Sequence, residues 1–406
     1  MRGLSVAVAG CGPCGLAAAL LLSRHGHHVT LFERFVEPRP IGSGLMIQPT
    51  GQAVLAELGL LARVLAEGSR IDRLFGCASE RIVLDVHYRS LGGTPRFGIG
   101  VHRSGLFNAL YDQVRSGGVE IATGVEIVTS DADASGRRLV FAGGKRSEPF
   151  DLVVDALGTR WPLAPPCGKD LAYGALWTTL DWPDETHFAQ DALQQRYRRS
   201  SVMAGVLPIG NGGEKKLKAA FFWSLRRDAL EGWRAAGLDR WKTEVRALWP
   251  ACAPLLDQIT SPEQLTFARY AHRTLPAPVE PALIHIGDAW HSASPQLGQG
   301  ANMALLDAWA LMVSLGRAAS VDDGLQQAVE MRRNHVRLYQ WLTALFTPVY
   351  QSDSRVLPML RDTLVGPLSK LWPATWIQAA MVGGLIGDPL RRCGLTEAKL
   401  QTLGPC

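Results

Sequence analysis

The chain has 406 residues, of which 47% are hydrophobic and 19% are charged, and its net charge is +5. These values are typical of one large globular domain or two of ordinary size, and they exclude an intrinsically disordered chain. The positive surplus is spread thinly. Short basic clusters at residues 196–199 and 215–218 are typical of solvated strand ends, so we expect no nucleic-acid partner.

Cysteine usage and hydropathy indicate the expected location. Seven cysteines, an odd number spread along the chain, do not form a disulfide framework, and no secretory signal precedes the first strand pattern. We therefore expect a reducing, cytoplasmic environment. Residues 371–387 approach the length of a membrane span, but Pro373, Gln378 and the pair Gly383-Gly384 interrupt them. A buried or interfacial helix is predicted there, and peripheral membrane contact is left open.

The first motif lies where an apolar run ends in Gly10, Gly12 and Gly15. Residues 6–9 predict a buried strand, residues 16–24 a crossover helix, and residues 28–32 a second parallel strand that ends at Glu33. A G-x-G-x-x-G turn in this context, followed by an acidic residue about 20 positions later, is typical of a dinucleotide site. The same turn also contains a C-x-x-C motif, formed by Cys11 and Cys14. This motif alternatively indicates a redox dithiol.

The next segment mixes loops, strands and one helix entrance. Residues 42–48 predict a glycine-rich loop, either beside a flat ligand or as an ordinary surface turn, before a helix over residues 51–58. Arg103 precedes a predicted amphipathic helix over residues 106–114, a position suited to binding phosphate. Further strands are predicted at 119–123, 125–130 and 138–141, as a small antiparallel excursion, and at 151–155, as a return to the parallel sheet.

From residue 172 to about residue 266 the pattern changes to longer alternating segments. Residues 173–182, 197–209 and 216–225 predict an antiparallel sheet, and residues 239–248 predict a helix packed on it. Aromatic side chains are frequent here. We expect most of them to pack the sheet, while a wall facing a substrate is the other interpretation.

A second specific motif follows a predicted buried strand at residues 282–286. Gly287-Asp288 ends the strand, and Pro295, Gly298 and Gly300 lead into a predicted helix over residues 303–315. The aspartate can bind sugar-alcohol hydroxyls, and the helix N-terminus offers free amides and positive potential to an electron-rich ring edge. Another strand is predicted at 265–272, and helices at 325–345 and 357–368.

Together these motifs resemble the FAD-dependent aromatic hydroxylases, the single-component (group A) flavoprotein monooxygenases. The resemblance covers residues 6–315, and more loosely extends to residue 368. It is strongest between Gly287 and Asn302, where it follows the family's Gly-Asp motif almost position by position. The elements and the resemblance predict an α/β fold. Its parts are a Rossmann-type FAD-binding domain with a parallel sheet (1–171 and 265–320), an antiparallel-sheet substrate domain (172–264) and a helical C-terminal region (321–406).

The resemblance also implies which residues bind FAD. The expected set is Gly10, Gly12, Pro13, Cys14 and Gly15 at the pyrophosphate, Glu33 at the adenosine ribose, Arg34 near the adenine, Arg103 near the pyrophosphate, Val125, Asp288 on the ribityl chain, Pro295 by the reactive face, and Gly298, Gly300, Ala301 and Asn302 at the pyrimidine edge. Beside the flavin, Pro295, Gln48 and His291 are the candidates for a catalytic role, although a structural role is favoured for His291. Cys11 and Cys14 become small packing residues under this interpretation.

The implied activity is hydroxylation of an aromatic or otherwise electron-rich hydrophobic small molecule. NADPH or NADH and O2 are the expected co-substrates, the oxygen passes through a flavin hydroperoxide, and no metal is expected. The sequence leaves the oligomeric state open.

One position departs from the family pattern. The family's middle motif places Asp-Gly after a strand and a Ser three positions beyond the Gly, but Leu157 stands at the Asp position and Trp161 at the Ser position. Because that motif is associated with coupling between FAD and the pyridine nucleotide, the strength and preference of NAD(P)H binding stay open. Leu157 also supports an alternative function. In this alternative the protein is a non-hydroxylating flavin-dependent dehydrogenase, oxidase or reductase that acts on a biosynthetic intermediate. A binding protein without catalysis is the third hypothesis.

Overall fold

The fold alternates short strands and helices through the described residues, which are 1–39, 42–160, 162–365 and 370–397 of this computed structural model. In chain order the strands are β1 (Ser5–Ala9), β2 (His28–Phe32), β3 (Gly44–Ile47), β4 (Ser69–Ile71), β5 (Arg73–Ala78), β6 (Arg81–His87), β7 (Gly98–His102), β8 (Glu120–Ala122), β9 (Ile127–Asp133), β10 (Gly136–Phe141), β11 (Leu152–Asp155), β12 (Lys169–Asp181), β13 (Ala192–Arg198), β14 (Val202–Pro208), β15 (Lys218–Arg226), β16 (Thr266–Thr274), β17 (Val279–Glu280), β18 (Leu283–His285) and β19 (His291–Ser292). The helices are α1 (Pro13–Arg24), α2 (Pro49–Glu57), α3 (Leu61–Glu67), α4 (Arg103–Ser116), α5 (Leu230–Ala236), α6 (Leu238–Leu248), α7 (Ala253–Leu256), α8 (Gly300–Arg317), α9 (Val321–Tyr350), α10 (Val356–Leu360), α11 (Ala374–Val382) and α12 (Pro389–Arg392).

A six-stranded sheet carries the two glycine motifs. Its strand order is β17-β18-β11-β1-β2-β8, and every neighbouring pair is parallel except β17 with β18. The chain continues from β1 to β2 and β8 on one side, and to β11 and β18 on the other, so the strand order reverses at β1. In such sheets ligands bind in the crevice at the carboxyl ends of the strands beside the reversal. The turns after β1, β11 and β18 all lie at this edge.

Helix α1 fixes the first glycine turn because it is held on several sides. Alanine and leucine favour the helix, and Pro13 occupies its first turn, where a missing N–H costs nothing. The side chains from Cys14 to Leu22 are all buried, and α1 packs against β2, α4 and α8. A helix that is apolar around most of its circumference is therefore buried on most of it.

The second large sheet has eight strands in the order β19-β16-β12-β15-β14-β13-β5-β6. All neighbouring pairs are antiparallel except β13 with β5, which are parallel. Side chains alternate between its faces. Phe221 and Trp223 pack against Trp241 of α6 on one face, while the neighbouring Ala220 packs with residues of α11 on the other. The sheet thus separates a helical layer from the interior.

Two smaller units complete the framework. Strands β3, β7 and β4 form an antiparallel sheet in the order β3-β7-β4, and β9 pairs with β10 as a hairpin. Helix α8 packs against α1, α2 and α9, so the long C-terminal helix α9 lies directly behind the second glycine motif.

Several predicted elements differ from those observed. The stretch 42–48, predicted as a loop, contains strand β3, because pairing with β7 satisfies its backbone. Strand β8, predicted in an antiparallel excursion, is parallel to β2 in the six-stranded sheet. The single strand predicted at 197–209 is two strands, since the chain turns at Arg199, where φ is +58°. The second sheet also recruits β5, β6, β16 and β19 from outside residues 172–264, and β13 with β5 makes it mixed rather than purely antiparallel.

The C-terminal region is helical, with shorter pieces than predicted. The helix predicted at 357–368 consists of α10 followed by a π-helical turn at Arg361–Val365, and its last predicted residues, 366–368, lie outside the described residues. The apolar stretch 371–387 contains the nine-residue helix α11. In the described part of the chain, no helix is long and apolar enough to cross a membrane. The domain boundaries given above remain a prediction.

Candidate active site

The three motifs converge on one continuous cavity of about 1280 Å³ at the carboxyl edge of the six-stranded sheet. The residues predicted to bind the cofactor that line it are Gly10, Gly12, Pro13, Cys14, Glu33, Arg34, Arg103, Val125, Asp288, Pro295, Gly298, Gly300 and Ala301. Of the candidates for a catalytic role, Pro295 and His291 also line it. Gly15, Gln48 and Asn302 do not border the cavity, and each has a different role described below.

The first glycine turn has two packed positions and one open position. A Cβ on Gly10, where φ is +104°, would lie 2.6 Å from the carbonyl oxygen of Ala156, and a Cβ on Gly15 would lie 1.9 Å from that of Gly10. A Cβ on Gly12 would meet no protein atom within 4 Å. Gly10 and Gly15 therefore allow strand, turn and helix to pack closely, while Gly12 leaves room for a ligand beside the backbone.

Helix α1 points its N-terminus at this open position. Its N-cap is Gly12, and no side chain caps the first amides, which are thus available to an anion. Glu33 braces the turn, because one carboxylate oxygen accepts from the Cys11 amide at 3.1 Å and the other from the Phe35 amide at 3.0 Å. The cradle fits a pyrophosphate with a ribose beyond it, as expected for FAD.

The cysteine pair is not a redox dithiol in this structure. Both thiols are free and buried, and the Cys14 thiol donates to the carbonyl of Ala304 at 3.5 Å. Burial, with a smaller contribution from the Glu33 charge, raises the pKa of Cys11 to about 12. Burial raises the pKa of Cys14 as well, so neither thiol ionises readily and both act as small packing groups.

The residues predicted at the adenosine end lie together. The Arg34 guanidinium lies 4.3 Å from the centroid of the Phe35 ring, and the Val125 amide donates to the Glu33 carbonyl at 2.9 Å. Arg103 begins α4 after His102, whose ring accepts from the Ser104 amide and caps the helix. These residues line the cavity from the second strand across to α4.

The Gly-Asp motif packs directly on the first glycine turn. Gly287 adopts φ +58°, and a Cβ there would lie 2.8 Å from the Cys14 sulfur. This close approach carries Asp288 to the cavity wall, where its side chain is accessible from the cavity. Burial raises the pKa of the Asp288 carboxyl, and the charges of His291 and Arg103 act in the opposite direction.

A buried charge network, which sequence reasoning missed, holds this motif from behind. One oxygen of Asp307 accepts from the Gly287 amide at 3.0 Å and from His291 Nε2 at 2.6 Å, and the other accepts from Arg332 at 2.8 Å. The nearby His291 and Arg332 charges hold the pKa of Asp307 at about 2 despite its burial. Arg332 also contacts His335, whose Nε2 lies 3.1 Å from the Gly384 carbonyl.

His291 thus contacts Asp307 and also lines the cavity, and the structural role favoured for it stays a prediction. An acidic residue on α8 with Arg and His three positions apart on α9 was the available signal for this network. The sequence alone could not indicate that the two helices pack together.

Asn302 and Gln48 brace the second helix entrance. Asn302 accepts from the Gln48 amide at 2.8 Å and donates to the carbonyls of Met46 and Gly298 at 3.2 and 3.0 Å. The Gln48 side chain is fully buried and accepts from the Tyr88 hydroxyl. These contacts tie β3 to α8, so the two side chains position the site from behind.

The N-terminus of α8 is open to the cavity. Pro295 begins a short 3-10 turn that ends at Gly298, which adopts φ +61°, and no side chain caps the helix at Gln299. Pro295 and Gly300 are exposed to the cavity. The uncapped helix start offers amide donors to an electron-rich ring edge, so this entrance fits the flavin.

The middle motif retains a structural aspartate but not the family one. Leu157 lines the cavity, and its amide donates to Asp155 at 2.9 Å. The other Asp155 oxygen accepts from His285 Nδ1 at 2.7 Å, within the sheet. Leu157 therefore offers an apolar side chain to the cavity where the family has a carboxylate. Trp161 lies outside the described residues.

The rest of the cavity is an apolar chamber between the open start of α8 and the eight-stranded sheet. Its walls come from the sheet, α9 and α11; among them are Leu74, Val83, Leu84, Val86, Trp177, Leu193, Met203, Leu207, Phe222, Phe267, Phe346, Tyr350, Ala374, Met381 and Val382. Sequence reasoning missed the walls from β5, β6, α9 and α11. The apolar alternation at 73–87 was an available signal for the two strands.

A few polar groups interrupt the chamber wall. The Trp177 indole donates to the Tyr270 hydroxyl at 2.9 Å, and the Tyr197 hydroxyl donates to Gln195 at 2.9 Å. Burial raises the pKa of Tyr270 to about 12, which keeps it a neutral donor. An apolar chamber with few oriented polar groups is typical of a small-molecule site.

Comparison with known proteins shows which proteins this chain is similar to. Residues 3–155 match the FAD binding domain family. The chain is 26% identical over 390 residues to 2-heptyl-3-hydroxy-4(1H)-quinolone synthase of Pseudomonas aeruginosa, covering 89% of this chain and 94% of that one. It is 25% identical over 347 residues to 3-amino-4-hydroxybenzoate 2-monooxygenase of Streptomyces cremeus, covering 82% and 84%.

The fold has a close counterpart among solved structures. The tetrameric form of 2-methyl-3-hydroxypyridine-5-carboxylic acid oxygenase superposes with a TM-score of 0.77 at 22% identity, covering 97% of this chain and 98% of that one. The cofactor-type cradle and these similarities support the resemblance of the chain to the FAD-dependent aromatic hydroxylases, the single-component flavoprotein monooxygenases.

Proposed function

We propose that this protein hydroxylates a flat, electron-rich aromatic ring that carries an apolar substituent, with NADPH or NADH and O2 as co-substrates. The observation that carries the proposal is the continuity of the cavity. It joins the pyrophosphate cradle, Asp288 and the open start of α8 to an apolar chamber lined by aliphatic and aromatic side chains of the eight-stranded sheet, α9 and α11. In the balanced reaction, one oxygen atom of O2 enters the ring and the other leaves as water, while the nicotinamide is oxidised.

The relatives' names support the substrate class. They describe a quinolone with an alkyl chain, an aminohydroxybenzoate and a hydroxypyridine, which are all aromatic rings with electron-donating substituents. The apolar chamber best fits a ring with a hydrophobic chain, because burial of apolar surface supplies most of the binding free energy there.

Bound FAD supplies acceptance of a hydride and activation of O2, and the protein supplies orientation and a dry cavity. The residues that we assign to FAD are those predicted from the sequence that line the cavity, with the pyrophosphate at Gly12 and α1, the ribityl chain at Asp288 and the ring edge at α8. In the chamber, Tyr270 accepts from Trp177 and keeps its own proton, so it can donate to a polar substituent of the substrate.

Labelled oxygen tests hydroxylation directly. The FAD-loaded protein is mixed with reduced nicotinamide, ¹⁸O2 and a panel of phenols, quinolones and hydroxypyridines, and the product mass is measured. We expect one labelled oxygen atom in the product and faster flavin reduction in the presence of the true substrate. Oxidised products without label would refute hydroxylation.

Leu157 favours a second function, a flavin-dependent dehydrogenase, oxidase or reductase that does not hydroxylate. The test is Leu157→Asp, which restores the family residue at the cavity wall. If Leu157 slows reduction of the flavin in the native protein, NADPH or NADH should reduce the flavin faster in the variant. An unchanged reduction rate, together with labelled product, would leave hydroxylation as the function.

We also propose a cytoplasmic location. The described cysteines (Cys11, Cys14, Cys77, Cys167, Cys252 and Cys393) are all free thiols, and free buried cysteines are typical of proteins in reducing compartments.

A further inference from the structure

The C-terminal segments expose an unusual number of large apolar side chains. Seven of the eleven large apolar side chains that are exposed in the described part of the chain belong to these segments. We call them the C-terminal apolar surface: Val356, Met359, Leu360, Leu371, Trp372, Trp376 and Ile377. Trp372 alone has 82% of its surface exposed. A concentration of exposed large apolar side chains in one part of a protein surface is typical of an interaction site.

The two segments that form this surface lie on a common support. The π-helical turn that continues α10 packs on β6, and α11 packs on β6 and on the 3-10 turn Tyr88–Leu91. The opposite side of α11 faces inward, where Ala374, Gln378 and Met381 line the chamber. Helix α11 is therefore a wall one helix thick, with the chamber on one side and the apolar surface on the other.

The rim of this surface has a positive surplus. No Asp or Glu occurs between residues 363 and 387, and Lys370 is the charged residue of that stretch. Arg355 is exposed beside α10, and Arg198 and Arg199 are exposed at a turn whose backbone accepts from Arg361.

Two acidic residues near this rim are paired with arginines. Asp353 forms an ion pair with Arg226, and Asp362 forms one with Arg361. The rim therefore presents the four positive charges of Arg198, Arg199, Arg355 and Lys370, and the exposed Glu80 at the turn beside Arg198 offsets one of them.

The exposed tryptophans together with the basic rim indicate which partner this surface binds. Tryptophan side chains favour the interface between lipid and water, and stable peripheral binding needs an apolar group together with basic residues that attract anionic lipid. A second copy of this chain would bring the same positive rim to the same patch across a twofold axis, which costs energy. A basic rim around an apolar centre is complementary to an anionic bilayer.

We propose that the C-terminal apolar surface docks this protein peripherally on anionic lipid bilayers, with Trp372 and Trp376 inserted at the lipid–water interface. This orientation places α11, the chamber wall, against the membrane. An apolar substrate dissolved in the lipid then reaches the chamber without crossing water, and this last consequence rests on the proposed function.

The test is vesicle co-sedimentation of the full-length, FAD-loaded protein without substrate, so its outcome does not depend on hydroxylation. We expect binding to vesicles of phosphatidylcholine with phosphatidylglycerol, and weaker binding at high salt because the rim charges are screened. The double variant Trp372→Ser/Trp376→Ser should weaken binding by about tenfold or more, since both side chains lose their lipid contact. Trp341→Ser, which replaces an exposed tryptophan on α9 outside this surface, is the matched control and should bind like the native protein.

Three results would overturn the proposal. They are no binding to the mixed vesicles, equal binding by the native protein and the double variant, and a loss of binding in the Trp341→Ser control as large as in the double variant. Sedimentation velocity without lipid gives a further check. A native dimer that the double variant converts to monomers, without vesicle binding by either, would assign the surface to self-association. Flavin absorbance and the unfolding midpoint show that the variants remain folded and loaded.

Discussion

Replacing Asp307 with Asn should destabilise the protein and weaken FAD binding together. Asp307 is buried, with its carboxylate between the Arg332 guanidinium at 2.8 Å and His291 at 2.6 Å. An amide removes the negative charge and leaves Arg332 buried without its counter-ion. Removing one partner of a buried ion pair costs about 3–5 kcal/mol, which is a large share of a typical stability of about 5–15 kcal/mol.

The same carboxylate accepts from the Gly287 amide at 3.0 Å, and Gly287 positions Asp288. A lost hydrogen bond to a charged group costs about 1.5–3 kcal/mol. If that loss is transmitted to the Asp288 turn, the dissociation constant for FAD rises by about tenfold to a hundredfold.

Urea unfolding of the FAD-free protein and titration with FAD measure the two effects separately. Glu330→Gln, an exposed acid-to-amide change on α9, is the control, and its free energy of unfolding should change by less than about 0.5 kcal/mol. If Asp307→Asn lowers the free energy of unfolding by less than about 1 kcal/mol, the view that the buried charge holds the network is refuted.

The pH dependence of stability provides a second test of Asp307. Because the folded pKa is about 2 and the ordinary value is 3.8, the native carboxylate stabilises the fold above that value, and this stabilisation is lost as the pH falls towards 2. The variant should lack this part of the acid sensitivity.

Three further predictions follow from the site. Gly15→Ala should destabilise the FAD-free protein because its Cβ would lie 1.9 Å from a carbonyl oxygen. Gly12→Ala should weaken FAD binding and leave the urea unfolding midpoint unchanged, because a Cβ there meets no protein atom within 4 Å. Equal unfolding midpoints for the two variants would contradict the packing argument. Cys11 and Cys14 should resist alkylation by iodoacetamide in the folded protein, as mapped by mass spectrometry with the urea-unfolded protein as control, because burial raises the pKa of both thiols. Burial and the Arg332 charge lower the pKa of His335, so the unfolded chain binds a proton below pH 6.5 that the folded protein does not. Stability should therefore fall as the pH drops below 6.5, by at most about 1.4 kcal/mol per pH unit for this group, and urea midpoints that fall just as steeply in His335→Asn would exclude His335 as a source.

Local sequence was enough for the parts of the site that depend on backbone chemistry. Gly10, Gly12 and Gly15 between an apolar strand and an apolar helix could form only a tight turn at a helix N-terminus, and Glu33 at the next strand end completed the pattern. The Gly287-Asp288 ending and the glycine-rich entrance to α8 were equally local. The structure brings these residues to one cavity because parallel strands end at the same edge of a sheet.

Tertiary structure decided what depends on contacts between distant segments. Both thiols of the C-x-x-C pair are buried, with Cys14 against α8, and this burial raises their pKa values, which no local pattern shows. Strand β5 joins β13 across more than a hundred residues and supplies a chamber wall, and Asp307 meets Arg332 because α8 packs on α9. Sequence periodicity determines which face of an element is apolar, but the partner of that face is chosen by the packing of the whole chain. For this protein the sequence alone therefore predicted the residues of the glycine turns at the cavity. The apolar chamber and the charge network around Asp307 could be identified only from the tertiary structure.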